Sequence, residues 1–251
     1  MIRAIMFGCN GRMGQMITNI AESDDNIEIV AGIDLYGGSK NGYPVFEKLS
    51  DCNVEADVLI DFSGATAVDG VISWCKDNKV PCVCCSTGLS TEQIDNIKEA
   101  SKEVAMLRSA NMSLGVNTLM KVLTEVAPIF AEAGFDIEIV EKHHNQKLDA
   151  PSGTAIALAD SINDAFEEKY EYVYDRSSRR EKRPAKEIGI SAVRGGTIVG
   201  DHDVIFAGLD EVVTFSHSAY SRGVFAKGAV QAAKFLAGKE PGMYNMADVI
   251  G

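Results

Sequence analysis

Short apolar runs alternate with helix-period segments over the first hundred residues, a glycine-rich turn closes the first run, and consecutive strand patterns follow later in the chain. Together these predict an α/β fold: a Rossmann-like doubly wound parallel sheet, then an α+β region with an open mixed sheet. Ile2–Phe7 is apolar and ends at Gly8, and Arg12–Glu22 carries helical periodicity. Ile27–Ile33, Asp57–Phe62, Pro81–Cys85 and Val104–Leu107 read as further strands, with helices over Ala65–Asp77 and Thr91–Ser101 between them. The pattern changes near Asn111: one long helix is expected over Leu114–Ala133, then a strand over Phe135–Val140 and a helix that follows Ser152. Glu187–Val193, His202–Ala207 and Glu211–Ser216 read as successive strands, the last two joined by a hairpin turn at Gly208–Asp210. Ser221–Ala237 is helical again. The expected division is a dinucleotide-binding domain of residues 1–112 and 221–251 and a substrate-binding and oligomerisation domain of residues 113–220.

The stretch Glu141–Ala155 is the most informative in the chain. Adjacent His143 and His144, then Lys147, precede a helix N-terminus at Ser152-Gly153-Thr154. Helix N-termini leave unpaired N–H donors and carry partial positive charge, so carboxylates settle there. Asp149 or Ser152 is suited to cap that helix, and Pro151 to its first turn. Imidazoles, a cation and a donor-rich helix start together suit a small anionic substrate.

Gly8-Cys9-Asn10-Gly11-Arg12-Met13-Gly14 joins the first strand to the first helix, with spacing G-x-x-G-x-x-G. Glycines there permit a tight turn and let a pyrophosphate reach the backbone. Asp34 ends the second strand, where a carboxylate accepts hydrogen bonds from the adenosine ribose.

The string E-x-H-H-x-x-K-x-D-A-P-S-G-T-A, from Glu141 to Ala155, resembles the signature of the 4-hydroxy-tetrahydrodipicolinate reductases of lysine biosynthesis, formerly called dihydrodipicolinate reductases. The resemblance runs from Gly8 to Val249. It implies NAD(P)H-dependent reduction of the dehydrated imine of 4-hydroxy-tetrahydrodipicolinate to tetrahydrodipicolinate, in the diaminopimelate route. His143 and Lys147 are then the candidate proton donors, with His144, Ser152, Gly153 and Thr154 holding the diacid. Cys85-Ser86-Thr87-Gly88 and Ser109-Ala110-Asn111-Met112 resemble family segments that contact the nicotinamide and its ribose, although Cys85 stands where glycine is common and Met112 where an aromatic is common. Family members often accept both cofactors with the help of a basic residue near the second strand. Here Arg12 and Lys40 are the candidates, and Asp34 opposes a 2′-phosphate, so NADH is expected to be favoured with NADPH tolerated. The resemblance also implies a homotetramer joined through the sheets of the second domains.

Composition sets the outer bounds. The chain is 46% apolar and 24% charged, ordinary for a globular protein, and its net charge of −12 argues against nucleic acid. No membrane association is expected, since no apolar run approaches the length of a membrane span and Met1 leads directly into a strand; a cytoplasmic protein is the expectation. Cys82, Cys84 and Cys85 crowd into one strand pattern, too tightly for zinc, and read as small core residues without a disulfide. The charged run Arg176–Pro184 reads as a solvated mobile loop, and His202 and His217 as structural. Three other readings compete: another nicotinamide enzyme, an NADH-sensing module without turnover, and a metal hydrolase using Glu141, His143 and His144. The His–Lys segment disfavours the sensor, and adjacent histidines seldom ligate one ion together.

Overall fold

The computed structural model describes residues 1–38 and 41–251; Lys40 lies outside them. In chain order the elements are β1 (Ile2–Phe7), α1 (Arg12–Ala21), β2 (Ile27–Ile33), β3 (Val45–Phe46), β4 (Val58–Asp61), α2 (Ala65–Asn78), β5 (Cys82–Cys84), α3 (Thr91–Ala100) and β6 (Ala105–Arg108). There follow α4 (Leu114–Glu132), β7 (Asp136–His143), α5 (Gly153–Asp164), β8 (Glu171–Val173), β9 (Glu187–Arg194), β10 (Gly200–Ala207) and β11 (Val212–Ala219). The chain closes with α6 (Gly223–Leu236), β12 (Gly242–Tyr244) and α7 (Met246–Ile250).

Two units result, one of Met1–Leu114 with Gly223–Gly251 and one of Gly115–Arg222. The first is built on a seven-stranded sheet in the order β12-β6-β5-β4-β1-β2-β3, whose strand pairs are all parallel. Its strands are apolar on both faces, as a sheet sandwiched between helices requires. On one side Met6, Ile60 and Leu107 pack with Ile17 of α1 and with Ala229, Ala233 and Leu236 of α6. On the other, Ile5, Leu59 and Met106 pack with Val68 and Ile72 of α2 and Ile97 of α3. Cys82 and Cys84 belong to that second core, and all six cysteines are free.

The second unit holds a mixed five-stranded sheet in the order β11-β10-β7-β9-β8. β7 runs antiparallel to β10 and parallel to β9. Ile137, Ile139, Ile188, Ile190, Val204 and Phe206 pack against Leu123 and Ala127 of α4 and Leu158 and Ile162 of α5. The α4 helix corrects one expectation: it is 19 residues long with mean hydropathy 1.2, enough by length and composition to cross a membrane. Lys121 and Glu125 interrupt its surface, while Leu123 and Ala127 bury its apolar stripe in the sheet's core. The helix also continues through Pro128.

The charged segment after β8 likewise departs from the solvated loop expected of it. Arg183 reaches Asp136 at 2.7 Å and Glu138 at 3.0 Å, and Arg176 pairs with Glu138 at 3.1 Å and with the buried Glu187. Burying Glu187 demands a counter-charge, and Arg179 at 3.5 Å contributes a further one.

Candidate active site

In the first unit, the turn after β1 is shaped by glycine. Gly8 has φ +84, and a side chain there would meet the Phe62 carbonyl oxygen at 2.8 Å. A side chain at Gly14 would press on the Gly8 carbonyl and on the Cys9 carbonyl oxygen at 2.6 Å, so the strand-to-helix turn closes only around hydrogen at that position. Gly11 caps α1 with no side-chain acceptor, which leaves the helix N-terminus open to an anion.

A cavity of about 270 Å³ lies beside this turn, lined by Gly8, Gly11, Asp34, Leu35, Tyr36, Phe62, Gly64, Thr66 and Ala67 among others. Asp34 is oriented there by two backbone donors, Asn10 N at 3.1 Å and Tyr36 N at 3.2 Å. Asn10 spends its side chain holding the Gly37 carbonyl at 2.9 Å. Cys9 points inward, fully buried, so only its backbone faces the turn. Arg12 is exposed at the start of α1.

A second cavity of about 310 Å³ gathers Met13, Cys85, Ser86, Thr87, Gly88, Ser109, Ala110, Asn111 and Met112, with Phe62, Arg108 and Phe225 completing it. Both sequence-expected loops thus line one hollow. Asp61, fully buried at the end of β4, organises its rim by accepting from Ser86 Oγ at 2.9 Å and from Ser63 N at 2.9 Å. Burial pushes the Cys85 thiol well above the usual thiol range, which keeps it neutral. Sequence reading missed Phe62, Arg108 and Phe225; Phe62 directly follows β4 and Arg108 ends β6, at the carboxyl ends of strands where α/β sheets bind ligands, whereas Phe225 lies in α6 and offered no such signal.

The second unit brings the histidine segment into one hydrogen-bonded cluster. β7 runs three residues further than expected, so Glu141 and His143 sit on the same face of a strand. Glu141 is fully buried, and its Oε2 lies 2.7 Å from His143 Nδ1. Arg194 grips the same carboxylate with two bonds of 2.7 Å each, and Ser152 N donates to Oε1 at 2.9 Å. Burial alone would raise this carboxyl group's pKa, yet Arg194, His143 and the Ser152 amide hold it below the usual carboxylate range. His143 and Arg194 are register partners across β7 and β9, as His202 and Glu141 are across β10 and β7.

His202, which the sequence suggests is structural, packs into this cluster. Its Nε2 lies 3.0 Å from Ser152 Oγ and its ring meets the His143 ring edge-on at 5.1 Å. Burial, aided by the neighbouring His143, pushes its pKa down to about 4, so it is neutral near pH 7. Ser152 takes the capping role that the sequence allowed it. Its hydroxyl caps α5 by accepting from Ala155 N at 3.1 Å and its amide is spent on Glu141, so it braces the site from within. Pro151 precedes that cap, after a cis peptide bond, instead of opening the first turn.

Gly153 begins α5, exposed, with open space where a side chain would stand. Thr154 follows it, half-buried. Lys147 pairs with Asp149 at 2.9 Å, and the Asp149 carbonyl accepts from Arg194 Nη2 at 2.7 Å, which ties the Lys147 loop to the buried cluster. His144 is half-buried just past the strand. No grouping of three or more His, Cys, Asp or Glu able to hold a metal ion occurs among the described residues. Arg194 was not anticipated at all. The signal it offered was a lone cation ending a strand pattern, too weak without the register.

Two family models cover nearly the whole chain: dihydrodipicolinate reductase, N-terminus, over residues 2–112, and dihydrodipicolinate reductase, C-terminus, over residues 115–250. The chain belongs to the dihydrodipicolinate reductase family. The family places it among the oxidoreductases. It is 52% identical to a 4-hydroxy-tetrahydrodipicolinate reductase of Caldanaerobacter subterraneus subsp. tengcongensis, covering 100% of this chain and 98% of that one. It is 50% identical to another of that name from Clostridium tetani, over 98% and 96% of the two chains. Among solved structures, the dipicolinate-bound dihydrodipicolinate reductase of Paenisporosarcina sp. TG-14 matches with a TM-score of 0.81 at 26% identity, covering 100% of both chains. A myo-inositol dehydrogenase of Corynebacterium glutamicum matches at TM-score 0.61 and 15% identity, which is likeness of fold alone.

Proposed function

We propose that the protein reduces the dehydrated imine of 4-hydroxy-tetrahydrodipicolinate to tetrahydrodipicolinate with NAD(P)H, in diaminopimelate and lysine biosynthesis. The observation that carries this is the histidine cluster of the second unit, where a buried carboxylate holds His143 beside the α5 N-terminus and the Lys147 loop is tied in. The family's 4-hydroxy-tetrahydrodipicolinate reductases, and a structural relative bound to dipicolinate, support the substrate.

The first unit fits a dinucleotide: a glycine turn with no room for side chains, an open helix N-terminus, and flanking hollows with Asp34 in one and the Ser86 and Asn111 loops in the other. In this reading Gly8, Cys9, Asn10, Gly11, Arg12 and Met13 cradle the pyrophosphate through their backbone. Asp34 takes the ribose hydroxyls; Cys85, Ser86, Thr87, Ser109, Ala110, Asn111 and Met112 orient the nicotinamide end. The bound cofactor supplies hydride. With Asp34 opposing a 2′-phosphate, NADH is favoured and NADPH tolerated through Arg12.

The second unit handles the diacid. The N–H groups at Gly153 and Thr154 take one carboxylate, the positive end of the α5 dipole reinforcing them. His144 and Lys147 balance the dianion's charge, and His143 or Lys147 delivers the proton that completes the reduction. The face of the five-stranded sheet away from α4 and α5 carries Val140 and Ile205 among polar neighbours, and exposed Val193 and Val212 extend along its strands. In a homotetramer such faces meet, and a cytoplasmic location accords with the six free cysteines.

The test is NADH oxidation that depends on freshly generated 4-hydroxy-tetrahydrodipicolinate. His143→Gln and Lys147→Ala should each lower kcat by about 10²–10⁴ while NADH affinity stays near wild type. Wild-type turnover in both variants refutes the assignment.

A further inference from the structure

We propose that Glu141, clamped by Arg194, is a positioning residue that locks the His143 ring with its Nδ1–H turned inward and Nε2 as the nitrogen that exchanges protons. The proposal deepens the reading above and rests on His143 acting in the reduction.

The geometry leaves little choice. An ionised carboxylate has no proton to donate, so at 2.7 Å the shared hydrogen belongs to His143 Nδ1. Glu141 stays ionised because Arg194 makes two 2.7 Å bonds to it and Ser152 N a third of 2.9 Å. Both carboxylate oxygens are therefore occupied, and turning the ring over would cost Oε2 its bond to Nδ1 inside a buried site. Arg194 is in turn fixed by the Asp149 carbonyl at 2.7 Å. At the ring's far end, Gly200 makes room: a side chain at that position would stand 3.0 Å from His143 Nε2.

The consequence is a directed proton. As imidazolium, His143 gives up the Nε2 proton; that N–H bond breaks, a bond to hydrogen forms on the substrate, and the ring keeps the lone pair. The neutral ring that remains has its Nδ1–H on Glu141, so the same nitrogen is reprotonated from solvent. The carboxylate fixes the orientation of the ring without taking its proton, the division of labour known from serine-protease triads. His202, edge-on to His143 at 5.1 Å and neutral near pH 7, adds no competing charge.

The first measurement needs no variant. Nitrogen-15 NMR of histidine-labelled wild-type protein should show His143 protonated at Nδ1; a neutral ring protonated only at Nε2 overturns the proposal. Glu141→Gln turns an amide carbonyl to Arg194 and an NH₂ to the ring, which should transfer the neutral-ring proton to Nε2. In that variant kcat should fall about 10²–10⁴-fold, with KM and NADH affinity within about threefold of wild type. Arg194→Met should lower kcat at least tenfold, and Arg194→Lys should recover most of it. A folded Glu141→Gln with wild-type kcat, or losses confined to thermal stability, also overturns the proposal. Should Glu141→Gln not fold, the wild-type spectrum and the Arg194 pair decide. If wild-type protein fails to turn over 4-hydroxy-tetrahydrodipicolinate while the ring is protonated at Nδ1, the assigned reaction is wrong and the ring geometry stands.

Discussion

Replacing His202 by glutamine should flatten the acid side of the second unit's stability curve. In the folded protein burial, with His143 next, depresses the His202 pKa to about 4 from its ordinary 6.5. A group with a depressed basic pKa binds more protons unfolded than folded between those values, so stability is complete above about pH 6.5 and is lost as pH falls toward 4. Integrating that difference from pH 7 to pH 4.5 gives a loss of about 2 kcal/mol from this side chain alone. The groups facing it include His143 and Glu141 on β7, His217 on β11 and its neighbour Asp201, and carboxylates such as Glu141 add acid losses of their own. The informative quantity is therefore the wild-type slope minus the variant slope. Glutamine reaches Ser152 with an amide that does not titrate, so local packing changes little. Hydrogen exchange of peptides covering Gly200–Ala207, in a denaturant series at both pH values, reads the free energy of this unit separately from the first. Equal acid losses in wild type and His202→Gln would refute the account.

Gly14→Ala should abolish measurable NADH binding and lower the melting temperature, because a methyl group there lies 2.6 Å from the Cys9 carbonyl oxygen; calorimetric titration checks it. Asp34→Asn should shift the ratio of kcat/KM values toward NADPH by about tenfold, as one carboxylate charge near a 2′-phosphate is worth on the order of 1 kcal/mol at this partly exposed site. Leu123→Ala, from the fully buried contact of α4 with the five-stranded sheet, should cost about 2–5 kcal/mol in denaturant unfolding with no change in NADH affinity.

The long elements were legible because each carries its own periodicity. The elements that were not anticipated are β3, β8, β12 and α7, the longest of them five residues. A strand as short as Val45–Phe46 has no internal alternation to read. It exists because Gly32 and Ile33 of β2 offer it a parallel partner, just as β6 does for β12 and β9 for β8. Their stability is tertiary, so their signal is as well. The segment after β8 misled for the same reason: its arginines look solvated until Glu138 and the buried Glu187 are brought beneath them by strand pairing.

The candidate site divides along the same line. His143, Lys147 and the α5 entry lie within a dozen residues, and a local string can display their chemistry. Arg194 and His202 reach the cluster through register alone, opposite His143 and Glu141 on the strands either side of β7. One clue was available locally. Ile137, Ile139, Glu141 and His143 occupy alternate positions, and extending the strand past Val140 sends the last two to the buried face. A carboxylate sent there requires a cation, and the chain must supply one from a neighbouring strand. The demand for Arg194 was thus implicit in Glu141, while the identity of the residue meeting it depended on how β9 pairs.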